Sequence, residues 1–209
     1  MFRFFLKTLG LLPFAPASKP AEKVPPLVTK PSGKAADFIS NLLTLATVQA
    51  VSKIRENSTN QGPGIAKYWD WTDYGYDGYK NREPWCAAFL CWLVGNATYN
   101  TFAPNRPFKP CRSAGVVKWI AWAKEQPGWK FYPGNVSVRA GDIILFDFNG
   151  SRAAGTHIAL AVSDENPGTQ SFDTIEGNTD SVGSREGNGV FKKSRSRNSS
   201  VIGICRYVG

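Results

Sequence analysis

The sequence predicts an α+β domain in which N-terminal helices pack on an antiparallel β-sheet. In the first half of the chain, apolar residues recur at helical spacing. After residue 134 short apolar and β-branched runs take over, separated by clusters of Gly, Asn and Ser. Helices first and strands afterwards favour segregated layers with an antiparallel sheet over alternating βαβ units. With 42% hydrophobic and 13% aromatic residues among 209, the chain can bury a core, which excludes a wholly disordered or collagenous protein. No apolar run reaches the ~18 residues needed for a conventional membrane-spanning helix.

The elements follow in order. Arg3 and Lys7 precede a short apolar run from Leu9 to Phe14, and Ala15-Pro16-Ala17 has the small residues of a cleavage site. Pro13 and Pro16 interrupt that run, so a signal-like export segment and a flexible basic arm are both open. Prolines at 13, 16, 20, 25, 26 and 31 disfavour helix and read as a semi-rigid linker. The chain therefore divides into a basic, proline-rich segment, 1–33, and a folded domain, 34–209. From Lys34 to Arg55, Phe38, Ile39, Leu42, Leu45, Ala46 and Ile54 recur at spacings that put them on one helix face. Gly62-Pro63-Gly64 marks a turn, and the aromatic stretch 65–83 has no clean period. Pro84 suits the first position of a second helix, which carries WCAAFLCWLV to Gly95-Asn96. A third helix starts with Ser113 as its cap, carries Val116, Val117, Ile120 and Trp122, and ends before Pro127-Gly128. Strands are expected at Ile143–Phe148, His157–Val162, Phe172–Ile175, Gly189–Lys193 and Val201–Val208.

The net charge is +9, unevenly placed. Residues 1–35 carry six basic side chains against one acidic, and 185–209 again carry six against one. Such faces attract polyanions, whether nucleic acid, anionic lipid or an anionic envelope polymer, and also serve plain solubility. Cys86, Cys91, Cys111 and Cys205 are too scattered for a dense disulfide scaffold. With no CxxC pair and a single His, the ligand spacing of a structural zinc site is missing. Cys91 lies five residues past Cys86, about 140° round a helix, so the two should not pair and Cys91 reads as core. Cys111 and Cys205 are open to either a disulfide or free thiols.

Three residues carry candidate chemistry. Cys86 falls in the first turn of its helix, where unpaired N–H groups and the positive end of the dipole stabilise a thiolate. The same N–H groups can hold the oxygen that turns negative when a carbonyl is attacked. A small buried hydrophobe is the alternative reading of this position. His157, the only His, opens the strand HIALAV; a thiol nucleophile needs a base exchanging protons near neutral pH, and only His does so unperturbed. Glu176 ends the next strand, where a carboxylate could orient an imidazole or serve as an ordinary turn acid. Tyr68, Trp69, Trp71, Tyr74, Tyr76 and Tyr79 could line a groove for sugar or peptide, or fill core and surface.

The order of helix-start Cys, strand His and strand-end acid resembles the CHAP domains, cysteine- and histidine-dependent amidohydrolases/peptidases of papain-like fold. PWCAAF resembles their nucleophile motif, GDIILFD their Gly-Asp strand, THIALAV their histidine strand and IEGN the segment supplying Glu and a nearby Asn. Upstream, RENSTNQGPGIAKY is similar to the approach found in many phage and bacterial members, so the resemblance covers roughly residues 50–208. It implies Cys86 as nucleophile, His157 as base and then acid, Glu176 as orienting group and Asn178 as an auxiliary polar group beside the His. Glu56 and Asn60 match the upstream motif without an evident chemical step, while Trp85 and Asp142 match structural positions. Some members bind calcium through clustered acids; here Asp73 and Asp77 precede Cys86 but Ala88 fills the later position, so neither metal nor cofactor is expected.

The function implied is hydrolysis of an amide bond in bacterial peptidoglycan, by an N-acetylmuramoyl-L-alanine amidase or a peptide-crosslink endopeptidase acting at the cell wall. A phage lysin, a virion-borne hydrolase and an exported bacterial enzyme all fit. A monomer is expected, with no nucleic-acid partner; the basic N-terminal arm would meet an anionic wall polymer or membrane surface. Two rivals are a papain-like enzyme acting on a non-wall amide and a basic, non-catalytic adaptor on the same scaffold.

Overall fold

The computed structural model describes residues 33–150, 155–182 and 187–209; the N-terminal arm or signal-like segment therefore lies, up to residue 32, outside the described residues. Among the described residues, four α-helices and one 3₁₀ segment precede or flank one six-stranded sheet. They are α1 (Lys34–Val51), a 3₁₀ segment (Ala66–Trp71), α2 (Tyr76–Lys80), α3 (Cys86–Phe102) and α4 (Lys118–Glu125). The strands are β1 (Trp129–Pro133), β2 (Ile143–Phe146), β3 (His157–Ala161), β4 (Ser171–Thr179), β5 (Gly189–Ser196) and β6 (Val201–Tyr207). Every pairing is antiparallel, in the order β1-β6-β2-β3-β4-β5. This is the α+β architecture expected.

Several boundaries differ from the expectations. α1 stops at Val51 rather than Arg55, and Arg55 instead bridges to Gly189 at the start of β5. α3 begins at Cys86, with Pro84 outside it, and continues past Gly95 to Phe102. Gly95 is no terminator: a Cβ there would lie 2.2 Å from the Trp71 ring, so its glycine admits that ring against the helix. Ser113 does not cap α4. Its Oγ accepts from the Gly115 N–H, closing a turn, and the helix opens five residues later at Lys118. Within 65–83 the chain folds into the 3₁₀ segment and α2, both too short to show a period. β1 was not expected; it pairs with β6 from Trp129↔Tyr207 to Pro133↔Gly203.

The sheet buries both faces, which is why β2 and β3 read as continuous apolar runs. Ile143, Leu145, Ile158, Leu160 and Ile175 join the helix-side core with Phe38 and Leu42 of α1 and Phe89, Leu90 and Leu93 of α3. Ile144, Phe146, Ala159, Ala161, Phe172 and Ile204 form a second cluster on the other face. Three arginine–carboxylate pairs border that second face. Arg206 grips Asp142 at 2.7 and 2.6 Å, Arg197 meets Glu165 at 2.8 Å, and Arg195 grips Glu176 at 2.7 and 2.6 Å. Asp142 also accepts from the Arg139 N–H, so it fixes the turn before β2, as a structural residue would.

Candidate active site

Cys86 is the first residue of α3, with Trp85 as the residue before it. The first main-chain bond of the helix runs from the Phe89 N–H to the Trp85 carbonyl. In an α-helix the amides ahead of that bond have no partner within the helix, so they point toward whatever lies at its start. Trp85 is held on two sides. Its ring stacks on Tyr68 with centroids 5.5 Å apart, and its Nε1–H donates to Glu56 Oε1 at 2.8 Å. Glu56 Oε2 accepts from the Asn60 N–H at 2.9 Å, and Asn60 Nδ2 donates to the Arg82 carbonyl at 2.7 Å. Glu56 and Asn60 thus brace the chain just ahead of the thiol, a role the spacing of the motif alone did not disclose.

His157 and Glu176 are fully buried. His157 Nε2 bonds Glu176 Oε2 at 2.9 Å, joining the first residue of β3 to β4. The other ring nitrogen, Nδ1, is buried and makes no aligned hydrogen bond, yet the Cys86 side chain lies close enough to act on the ring. Burial opposes a charge on His157, but the Cys86 thiol and the Glu176 carboxylate outweigh it and lift its pKa to about 9. Burial likewise opposes a charge on Glu176; the Arg195 guanidinium and then His157 overcome it and hold the carboxyl at about 2. The structure therefore brings three of the four expected residues together: Glu176 is hydrogen-bonded to His157, and Cys86 lies near the same ring at the start of α3.

Asn178 is placed differently. It sits in a β-bulge between Glu176 and Thr179 with φ +56°, a conformation Asn tolerates better than most residues. The residue is buried, but neither its Oδ1 nor its Nδ2 has a hydrogen-bond partner, so Glu176 orients the His157 ring without it. Arg195 and Thr174 complete the shell around Glu176, the Thr174 hydroxyl donating to Oε1 at 2.5 Å. Neither stood out in the sequence. Arg195 is one of several basic residues in a run, and only its place across the ladder from β4 distinguishes it.

Phe146 and Phe148 stack at 5.2 Å beside the imidazole, with ring centroids 6.4 and 6.1 Å from it. Phe148 remains 39% exposed, an apolar surface at the rim of the site. The aromatic stretch divides between its two readings. Tyr68 and Trp69 are core, whereas Tyr74 and Tyr76 are exposed. Asp73 pairs with Arg112 at 2.9 Å, and among the described residues no group of three or more His, Cys, Asp or Glu is placed to hold a metal ion. All four cysteines are free and buried; Cys91 belongs to the core, as expected.

A buried thiol at a helix start, an imidazole and an ionised carboxylate are groups with the chemistry that nucleophilic attack on a carbonyl requires. The CHAP domain family model matches residues 74–178, half of the chain and the span that holds Cys86, His157, Glu176 and Asn178. The chain belongs to the CHAP domain family. Among solved structures, that of a wild type endolysin, LysIME-EF1, is similar at 13% identity and a TM-score of 0.48, over 81% of this chain and 63% of that one. This chain thus spans less than two thirds of that protein's length. No curated protein sequence matches.

Proposed function

We propose that this chain hydrolyses an amide bond in bacterial peptidoglycan. The observation that carries the reading is the juxtaposition of Cys86 at the start of α3 with the hydrogen-bonded His157–Glu176 pair, in a chain of the CHAP family. The Cys86 thiolate attacks the carbonyl carbon, and the C=O electron pair moves to oxygen, facing the free amides of the first turn. His157 passes its proton to the amine nitrogen as the C–N bond breaks, leaving a thioester. A water then gives a proton to His157 and attacks the acyl carbon. The acid departs, and the thiolate is restored. The bond cut is either that joining muramic acid to L-alanine or one within a peptide crosslink, and action is at the cell wall.

The test is incubation of the full chain with purified peptidoglycan, with the new termini identified by mass spectrometry. A free L-alanine amine with intact lactyl carboxylate marks an amidase; a new stem or bridge terminus marks an endopeptidase. Cys86→Ser and His157→Ala should each lose at least about a hundredfold in kcat/KM, whereas Glu176→Gln should keep more residual rate because the base survives. Wall-lysing activity retained by Cys86→Ser would remove that residue from the mechanism.

A further inference from the structure

The next inference rests on that reading of Cys86, His157 and Glu176 and concerns Arg195, on the neighbouring strand β5. Its Nε donates to Glu176 Oε1 and its Nη2 to Oε2, the same oxygen that meets His157 Nε2. The Arg195 side chain is only 16% exposed, and the carboxylate it grips is wholly buried. Its guanidinium lies 5.6 and 5.3 Å from the ring centroids of Phe146 and Phe148, the two rings that flank the imidazole. The cation is therefore fixed by a two-point contact and an aromatic wall rather than swinging in solvent.

A buried carboxyl without a cation beside it favours its neutral form. Neutral Glu176 would no longer stabilise positive charge on His157, and a fully buried ring would shed its extra proton. The thiolate would then lose its counter-ion and the leaving amine its proton donor. The groups that act on this cluster are Cys86 from α3, His157 from β3, Glu176 from β4, Arg195 from β5 and, on Arg195, Asp180 just beyond β4. We infer that Arg195 is a positioning residue of the site: by holding Glu176 as a carboxylate it keeps the His157 ring doubly protonated, ready to stabilise the Cys86 thiolate and to protonate the leaving amine.

Because the chain has one His, its imidazole ¹⁵N signals can be followed by NMR without ambiguity. The full chain, Arg195→Met, Arg195→Lys and Cys86→Ser are titrated, and kcat/KM against pH is measured on soluble muropeptides released from peptidoglycan by a muramidase. In the parent the ring should titrate near 9. In Arg195→Met it should titrate at least about one unit lower, the basic limb of kcat/KM should follow, and kcat should fall about ten- to a hundredfold with KM nearly constant. Arg195→Lys, keeping the charge without the fork, should lie between the two. A ring pKa unchanged or raised in a folded Arg195→Met protein overturns the inference, because Glu176 then keeps its charge unaided. Should Arg195→Met not fold, Arg195→Gln, polar but without the charge, takes its place, and an unchanged ring pKa there overturns the inference equally. The ring titration does not depend on turnover: the expected shift without muropeptide cleavage by the parent would retire the wall substrate and leave the role of Arg195 standing.

Discussion

Four free thiols are buried in this domain, and of these Cys86 stands at a helix start beside an imidazole. Burial pushes the Cys91 and Cys205 thiols well up, so both are neutral near pH 7. Iodoacetamide at neutral pH should therefore label Cys86 first in the folded chain, with label and activity loss rising together; peptide mapping that finds Cys91 or Cys205 modified earlier would contradict this. The charged pair also sets a pH dependence of stability. Glu176 at about 2, below its ordinary 4.5, stabilises the fold above 4.5, and that contribution is lost as pH falls through 2. His157 at about 9, above its ordinary 6.5, stabilises the fold fully below 6.5, and that contribution is lost as pH rises through 9. Urea midpoints from pH 6 to 10 should fall accordingly, and in Cys86→Ser the fall should begin at lower pH because one of the groups raising the ring is gone.

Two glycines show how elements are brought together, each with a separable outcome. At Gly95 a Cβ would lie 2.2 Å from Trp71, between α3 and the 3₁₀ segment and away from the reacting groups. At Gly177 a Cβ would lie 2.8 Å from Phe89 and from Trp85, where β4 crosses the start of α3. Overpacking of this kind costs about 1–3 kcal/mol. Gly95→Ala should lower the thermal midpoint while leaving kcat per folded molecule within about twofold. Gly177→Ala should lower the midpoint and also reduce kcat at least about tenfold, because it separates Glu176 from Cys86. Circular dichroism melts with muropeptide turnover would check both; equal losses of kcat would show that the crossing does not set the geometry of the site.

The distribution of charge over the whole molecule changes once contacts are known. Of the six basic residues in 185–209, the five within the described residues are already engaged. Arg195, Arg197 and Arg206 hold Glu176, Glu165 and Asp142; Lys192 meets Asp173 at 2.8 Å, and Lys193 donates to the Asp180 and Ser181 carbonyls. These five therefore serve contacts within the fold, the three arginines most deeply, while Lys192 stays largely exposed beside Asp173. The arm, with +5 over residues 1–35, is left as the candidate for capture of an anionic wall or membrane. A chain beginning near Ser32 should match the full chain on soluble muropeptides and fall behind it on intact cells. The difference should shrink as salt rises, since exposed charges are screened within about 8 Å at physiological ionic strength. Loss of turnover on the soluble substrate would instead make the arm part of the catalytic domain.

The layer order, the helix-start Cys and the single His at a strand entrance were legible because they rest on local signals: hydrophobic period, turn residues and residue chemistry at element ends. Glu176, expected at the end of a strand Phe172–Ile175, lies instead inside β4, which runs on to Thr179 because it pairs with β5 as far as Gly189. Also legible were β2 and β3, expected to reach Phe148 and Val162 and observed to end at Phe146 and Ala161; their apolar runs reflect burial on both faces. Other features depend on contacts between residues distant in sequence. The passage of α3 through Gly95 depends on Trp71, the bracing of Trp85 on Glu56, and β1 on its pairing with β6. Arg195 belongs with these: in sequence it is one cation in a basic run, and only the β4–β5 register carries it to Glu176. Local pattern determines which groups stand at the ends of elements. The charge each group carries depends on what tertiary packing sets against it, because burial and a neighbouring ion act over a few ångströms of space and take no account of separation along the chain.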